Sequence, residues 1–385
     1  MRISANSKID KSKLLFLIYF YLLVFTIINK AFVPFGIDLR FVVVLLGAIQ
    51  FLLNFHGTKI VLLFDRNMKL VLLLYIFIVI GMVFVSIEIP NKDIFKNLVI
   101  LNLYNFFNII VLATSQKRIN IKDTISAIRF SVVVLGISIV AAIMQIPVPF
   151  NDYQSVSMTG TITSKARYCG YGTDPNYVSI IFVTYALLIC AYSSKKSKKV
   201  PQILLTTFFL LFSRSLTVIA ILPIMFFIYF ILERAKNKKI IMIVVFMFLA
   251  VIPLVMQHFR VLGSNSSLSV RYNMWSRALK GFIDHPIIGN GLGAARFRSF
   301  YTNNWLVQCH STYFQLLCEH GIIALLLYFN IFFNNIISTK NNLKSISYLL
   351  YFVWSFTYET LYLPFTILYF AIFPYCLSDR MEGRD

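Results

Sequence analysis

Between residues 257 and 311 the otherwise apolar chain carries its one long polar stretch, and Arg271, Trp275, His285, the glycines Gly289, Gly291 and Gly293, and His310 all fall inside it. These residue types can do chemistry. A guanidinium carries a permanent charge and a planar fork of donors suited to oxyanions, and an imidazole titrates near neutral pH, so it can take or give a proton. Outside this stretch, Arg214 breaks an apolar run at Ser213-Arg214-Ser215, where its guanidinium must find water, a carboxylate or an anionic ligand. Arg167 stands in a second polar segment, 147–176, with Asp152, Lys165, Gly170, Gly172, Asp174, Pro175 and Asn176. It reads equally as a solvated loop arginine or a ligand contact, while Asp174-Pro175-Asn176 reads as a turn that caps a helix start.

The elements that must position these residues are apolar. Runs of roughly 14 to 24 residues recur along the chain, and about 20 apolar residues suffice to cross the hydrocarbon core as a helix. They fall at 14–34, 41–56, 70–87, 97–114, 130–149, 177–193, 200–213, 215–232, 240–256, 312–336, 345–362 and 364–378. Hydrophobic residues make up 58% of the chain and charged residues 13%, against roughly a quarter charged in soluble domains. A length of 385 residues alone would suggest two or three soluble domains. Hydropathy overrides that prior, and the expectation is an all-α polytopic membrane protein with about twelve transmembrane helices, one integral membrane domain over 1–385.

A formal charge of +21 could signal nucleic acid, but the basic residues sort by loop. With a cytoplasmic amino terminus, the inside segments hold most of the lysines and arginines, among them Lys195 to Lys199 and Arg234 to Lys239. This bias orients both termini to the cytoplasm. The charge then reports orientation and contact with anionic lipid, and no nucleic-acid partner is expected. The same bias divides 200–232 into two spans, since a single span would put one basic cluster outside, and the division places Arg214 at an outer hairpin. The segment 257–311 becomes a large extracytoplasmic loop between spans nine and ten. The first run lacks an A-x-A cleavage site and reads as an uncleaved helix. The five cysteines show no metal spacing, and Cys169 and Cys309 could both face outside and pair.

Inside the large loop, Val270, Trp275, Ala278, Leu279 and Phe282 recur at helical spacing with Arg271, Arg277 and Lys280 interspersed, predicting an amphipathic helix near 269–283 on the outer leaflet. His285-Pro286 ends it, and the glycines follow as a flexible turn. Asn102, Asn105 and Asn108 form a polar stripe expected to bond between helices. No internal repeat of the transporter kind is found, and charges gather at the outer face rather than the midplane.

Three passages resemble the bacterial O-antigen ligase and polymerase group, the Wzy/WaaL superfamily. They are Ser213-Arg214, then Arg271-x3-Trp275 running to His285-Pro286-Ile287-Ile288-Gly289-Asn290-Gly291, then His310-x2-Tyr313 running to Glu319-His320-Gly321. Ser311 departs from the asparagine that commonly follows the histidine. The resemblance implies a GT-C-like bundle in the bacterial inner membrane with its active site on the extracytoplasmic face. It implies a glycan donor on undecaprenyl pyrophosphate and a sugar acceptor, with a chain-length regulator as a further possible partner. Arg214 and Arg271 would bind the pyrophosphate and stabilise its developing charge. His310 would deprotonate the acceptor hydroxyl or position substrate. Arg167, His285 and Glu319 are weaker substrate-site candidates. No D-x-D pair or ligand-spaced cluster stands outside, so no metal and no cofactor are expected. The His-Pro-Ile-Ile-Gly-Asn-Gly passage and 170–176 look more like polymerases than ligases. Ligation to lipid A-core, or lipid-linked sugar transport, are the alternatives.

Overall fold

The computed structural model describes residues 11–57, 66–84, 92–151, 156–158, 166–192, 196–244, 247, 267–297, 309–337 and 342–377. The helices with stated bounds are α1 (Lys11–Ile28), α2 (Leu39–Gly57), α3 (Arg66–Val83), α4 (Lys92–Thr114), α5 (Ile121–Ile143), α6 (Pro175–Tyr192), α7 (Lys196–Ser213), α8 (Leu216–Arg234), α9 (Ser267–Asp284), α10 (Ala294–Phe297), α11 (Thr312–Ile337), α12 (Asn342–Thr357) and α13 (Phe373–Cys376). A π-helical turn, Leu368–Ile372, leads into α13. The expected run at 240–256 lies mostly outside the described residues. Among the described residues, α1, α3, α4, α5 and α11 are long and apolar enough to cross a membrane, and α2, α6 and α7 hold shorter apolar stretches.

Several boundaries differ from hydropathy for local reasons. α5 begins at Ile121, not 130, because Asn120 caps it by accepting a hydrogen bond from the Asp123 N–H at 2.9 Å, and a capped first turn tolerates charged residues. α1 stops at Ile28 ahead of Pro34 and Gly36. α12 stops at Thr357, short of 362, because the following backbone bonds elsewhere. The Thr312 N–H donates to Tyr358 O at 3.2 Å, and the Thr360 N–H donates to Thr312 Oγ1 at 2.8 Å.

The chain forms two compact units, Met1–Leu63 with Phe107–Val218, and Phe64–Phe106 with Ile219–Asp385. In the first, α5 packs on α1 and α6, and α6 packs on α7. Tyr19 donates to Asn108 Oδ1 at 2.8 Å, Asn29 to Ser131 O at 3.0 Å, and Tyr177 to Ile27 O. Such bonds satisfy polar groups that lipid cannot. Of the asparagine stripe, Asn108 bonds across helices while Asn102 turns back to Leu98 O in its own helix. A short antiparallel pair, β1 (Val156–Met158) and β2 (Ala166–Tyr168), sets Ser157 opposite Arg167. Outward, Phe41, Leu45 and Leu52 on α2 and Phe130, Val133 and Ile137 on α5 are exposed. Apolar stripes of that extent suit contact with acyl chains rather than water.

In the second unit, α11 packs on α3, α9 and α12. Its core is aromatic: Phe332 stacks on Tyr351 with centroids 5.5 Å apart, and Tyr351 lies 4.3 Å from Tyr369. Gly321 has φ 71°, a left-handed break inside α11.

Candidate functional site

Arg214 lies in the first unit. The run over 200–232 breaks where expected, with α7 ending at Ser213 and α8 beginning at Leu216. Arg214 takes φ 47°, a conformation that costs a non-glycine residue about 1–2 kcal/mol, and its side chain is exposed. Both flanking serines are tied down. Ser213 Oγ lies 2.6 Å from Ser179 Oγ, and Ser215 Oγ donates to Asn176 Oδ1 at 2.7 Å. Arg167 completes the support: Nε donates to Ser213 O and Nη2 to Asn176 Oδ1, each at 3.1 Å. Burial pulls the pKa of that guanidinium below its usual value, against the opposing charge of Asp174. Arg167 therefore holds the turn that carries Arg214. Asp174 caps α6 by accepting from the Asn176 and Tyr177 N–H groups at 2.7 and 3.1 Å.

Arg271 and His310 lie in the second unit, where α9 positions both. Arg271 and Trp275 are one helical turn apart and so share a face. Arg271 Nη1 donates to Thr357 O at 3.2 Å, at the end of α12, and the Trp275 indole donates to Cys309 O at 3.0 Å while stacking on Phe314 at 5.2 Å. The amphipathic helix expected at 269–283 thus buries its tryptophan edge against the segment preceding α11. His310 follows directly, with φ 52°. Cys309 and Thr312 bracket it. Cys309 N–H donates to Glu359, and Thr312 is bonded to Tyr358 and Thr360 as above.

Glu359 is also paired with Arg296, whose Nη2 lies 2.9 Å from Oε2. Burial works against the Arg296 charge, but Glu359, with Glu319 and Tyr362, outweighs it and raises the guanidinium pKa. Glu319 accepts from the Tyr362 hydroxyl and from the Ala295 N–H at 3.3 Å, and His320 Nε2 lies 3.0 Å from the Tyr362 oxygen. Glu319 is therefore part of a buried polar cluster with Arg296, Tyr362 and His320.

The glycine run is not a loose turn. Gly289 has φ 74°, and a Cβ there would collide with the backbone of Glu319 and His320; a Cβ on Gly321 would collide with Ile287. Asn290 N–H and Gly291 N–H donate to Cys318 O and Glu319 O, each at 2.9 Å, and Ile322 N–H donates to Pro286 O at 2.9 Å. The passage docks on the broken turn of α11. His285 is exposed, and its carbonyl accepts from the Gly289 N–H at 3.0 Å, so it shapes the turn. Cys169 and Cys309 are not joined by a disulfide. Among the described residues no group of three or more His, Cys, Asp or Glu could hold a metal.

The structure thus gathers Arg271 and His310 around the end of α12, and sets Arg167 beneath Arg214. Residues 202–329 match the family model described as O-antigen ligase. That stretch is similar to the O-antigen ligase family, which supports membership in the O-antigen ligase/polymerase superfamily. The match spans α7 to most of α11, so it contains Arg214, Arg271, His285, Arg296, His310 and Glu319, and leaves Arg167 and Glu359 outside. A comparison with curated proteins gives no match. Together with the long apolar helices, the match supports a membrane protein of enzymatic, glycosyltransferase-like type.

Arg296 and Glu359 escape sequence reasoning, although Glu359 had a signal. It is one of only 15 acidic residues and falls inside an apolar run expected to be a span, where an ionisable residue is a site candidate by default.

Proposed function

We propose that the protein polymerises lipid-linked oligosaccharide repeat units, O-antigen or capsular, without a metal. The glycan is transferred from undecaprenyl pyrophosphate to a hydroxyl of the incoming unit. The bond between the anomeric carbon and the pyrophosphate oxygen breaks, the bond to the acceptor oxygen forms, and the acceptor proton passes to His310. Arg271 and Arg214 are assigned the negative charge that grows on the pyrophosphate, which arginine meets with paired donors. Supporting this most is His310 itself, a left-handed residue braced at Cys309 and Thr312 beside the helix that carries Arg271. Strained backbone of this kind persists only where its surroundings over-determine it, and it concentrates at functional sites.

The placement proposed is the bacterial inner membrane, with about twelve spans, both termini cytoplasmic and the 257–311 loop on the extracytoplasmic face over the site. The description of the matching family, O-antigen ligase, supports a second reading, transfer of the finished chain to lipid A-core. A deletion strain separates the two on a glycan gel. Loss of a polymerase leaves a single repeat on the acceptor, whereas long chains trapped on the lipid carrier would sink the polymerase reading.

A further inference from the structure

We propose that Glu359, held in place by Arg296, is a positioning residue that sets the geometry of His310. The inference rests on the reading of His310 as proton acceptor. One carboxylate oxygen of Glu359 accepts the Cys309 N–H, and the other meets Arg296 at 2.9 Å. The carbonyl of the same Cys309 accepts the Trp275 indole N–H at 3.0 Å. The peptides on both sides of Cys309 are therefore fixed, one by a carboxylate and one by an aromatic donor. Thr312, two residues beyond His310, is fixed by the backbone on either side of Glu359. The Tyr358-Glu359-Thr360 segment thus grips both ends of the short strut that presents His310 in its left-handed conformation.

Holding two chain segments together does not require charge. A buried ion pair is often no more stabilising than well-packed apolar residues, because both groups lose hydration. Here the Glu359 side chain is 2% exposed and that of Arg296 17%. What this pair provides beyond packing is direction: an ionised carboxylate is a strong acceptor for a single backbone N–H, and Arg296 orients its second oxygen. Arg271 reaches Thr357 O, two residues before Glu359. One short stretch after α12 therefore sets the spacing between the arginine and the histidine of the proposed reaction.

The test uses the full-length protein in nanodiscs with lipid-linked repeat units extracted from a strain that lacks it. Arg296→Gln with Glu359→Gln leaves no stranded charge and keeps a neutral acceptor for Cys309. Arg296→Ala with Glu359→Ala removes the acceptor. The Ala pair is expected to lose about 100-fold in kcat with donor KM unchanged within about twofold, as for a misplaced catalytic group, and the Gln pair to recover to within about tenfold of wild type. In a His310→Ala background the Ala pair should change the residual rate by no more than about twofold, since coupled residues are not additive. Full kcat in the Ala pair, or the same fold-loss with and without His310, would overturn the positioning role. Full activity of His310→Ala alone would overturn the reading of His310, and the positioning role with it.

Discussion

Substituting Gly289 by alanine tests the account of the glycine passage quantitatively. Gly289 sits at φ 74° with the Glu319 and His320 backbone where a Cβ would be. The left-handed conformation alone costs alanine about 1–2 kcal/mol. Overlap with backbone cannot be relieved by a rotamer change and adds about 1–3 kcal/mol. Together these give a destabilisation of about 2–5 kcal/mol. Gly36 is the internal control, because it has nearly the same backbone, φ 76°, but nothing within 4 Å of its Cβ position. Gly36→Ala should therefore show only the backbone part, about 1–2 kcal/mol. Equilibrium unfolding in mixed micelles of increasing sodium dodecyl sulfate fraction, followed by tryptophan fluorescence, measures both. If Gly289→Ala is no more destabilised than Gly36→Ala, the passage is the loose turn expected from its composition and the docking on α11 is refuted.

Trp275→Phe keeps the ring against Phe314 but removes the donor to Cys309 O; stability should fall by about 1 kcal/mol, while turnover falls about tenfold because His310 is less firmly placed, read as kcat against melting temperature. Arg167→Ala removes the bonds to Ser213 and Asn176 and should raise donor KM about tenfold by loosening the Arg214 turn; donor titration of initial rates checks it, and an unchanged KM would leave Arg167 without that role. Lys30, just beyond α1 and 4.0 Å over the Tyr177 ring, has its pKa lowered to about 8, chiefly by burial. The unfolded chain then binds more protons than the folded one between about pH 8 and the ordinary lysine value of 10.5, so stability should rise with pH across that window. Lys30→Met should abolish the rise in thermal unfolding scans, and an identical slope in both proteins would contradict the assignment.

Hydropathy made the helices legible because burial in lipid demands long apolar runs, and the basic clusters at 195–199 and 234–239 located the break at Arg214. Helix ends were less legible. Asn120 extends α5 over charged turns that hydropathy excludes, and Tyr358-Glu359-Thr360 leaves the helix because its backbone partners are near Thr312, far away in sequence. Arg271 and His310 could be proposed from type and spacing. Their support could not, since Glu359 and Arg296 are 63 residues apart and no local pattern links them. Arg167 and Glu319 were visible as charges, but their protein partners were not, because these are set by tertiary packing: Asn176 and Ser213 for one, Tyr362 and Ala295 for the other.

The most direct test of the central claim is glycan transfer by purified protein reconstituted with lipid-linked repeat units in the presence of a chelator. The account predicts longer chains from wild type, and turnover lower by about a hundredfold or more in Arg214→Ala, Arg271→Ala and His310→Ala, with each variant still inserted and folded. Wild-type turnover in any one of the three would remove that residue from the chemistry. Transbilayer movement of the substrate without new glycosidic bonds would contradict the account as a whole.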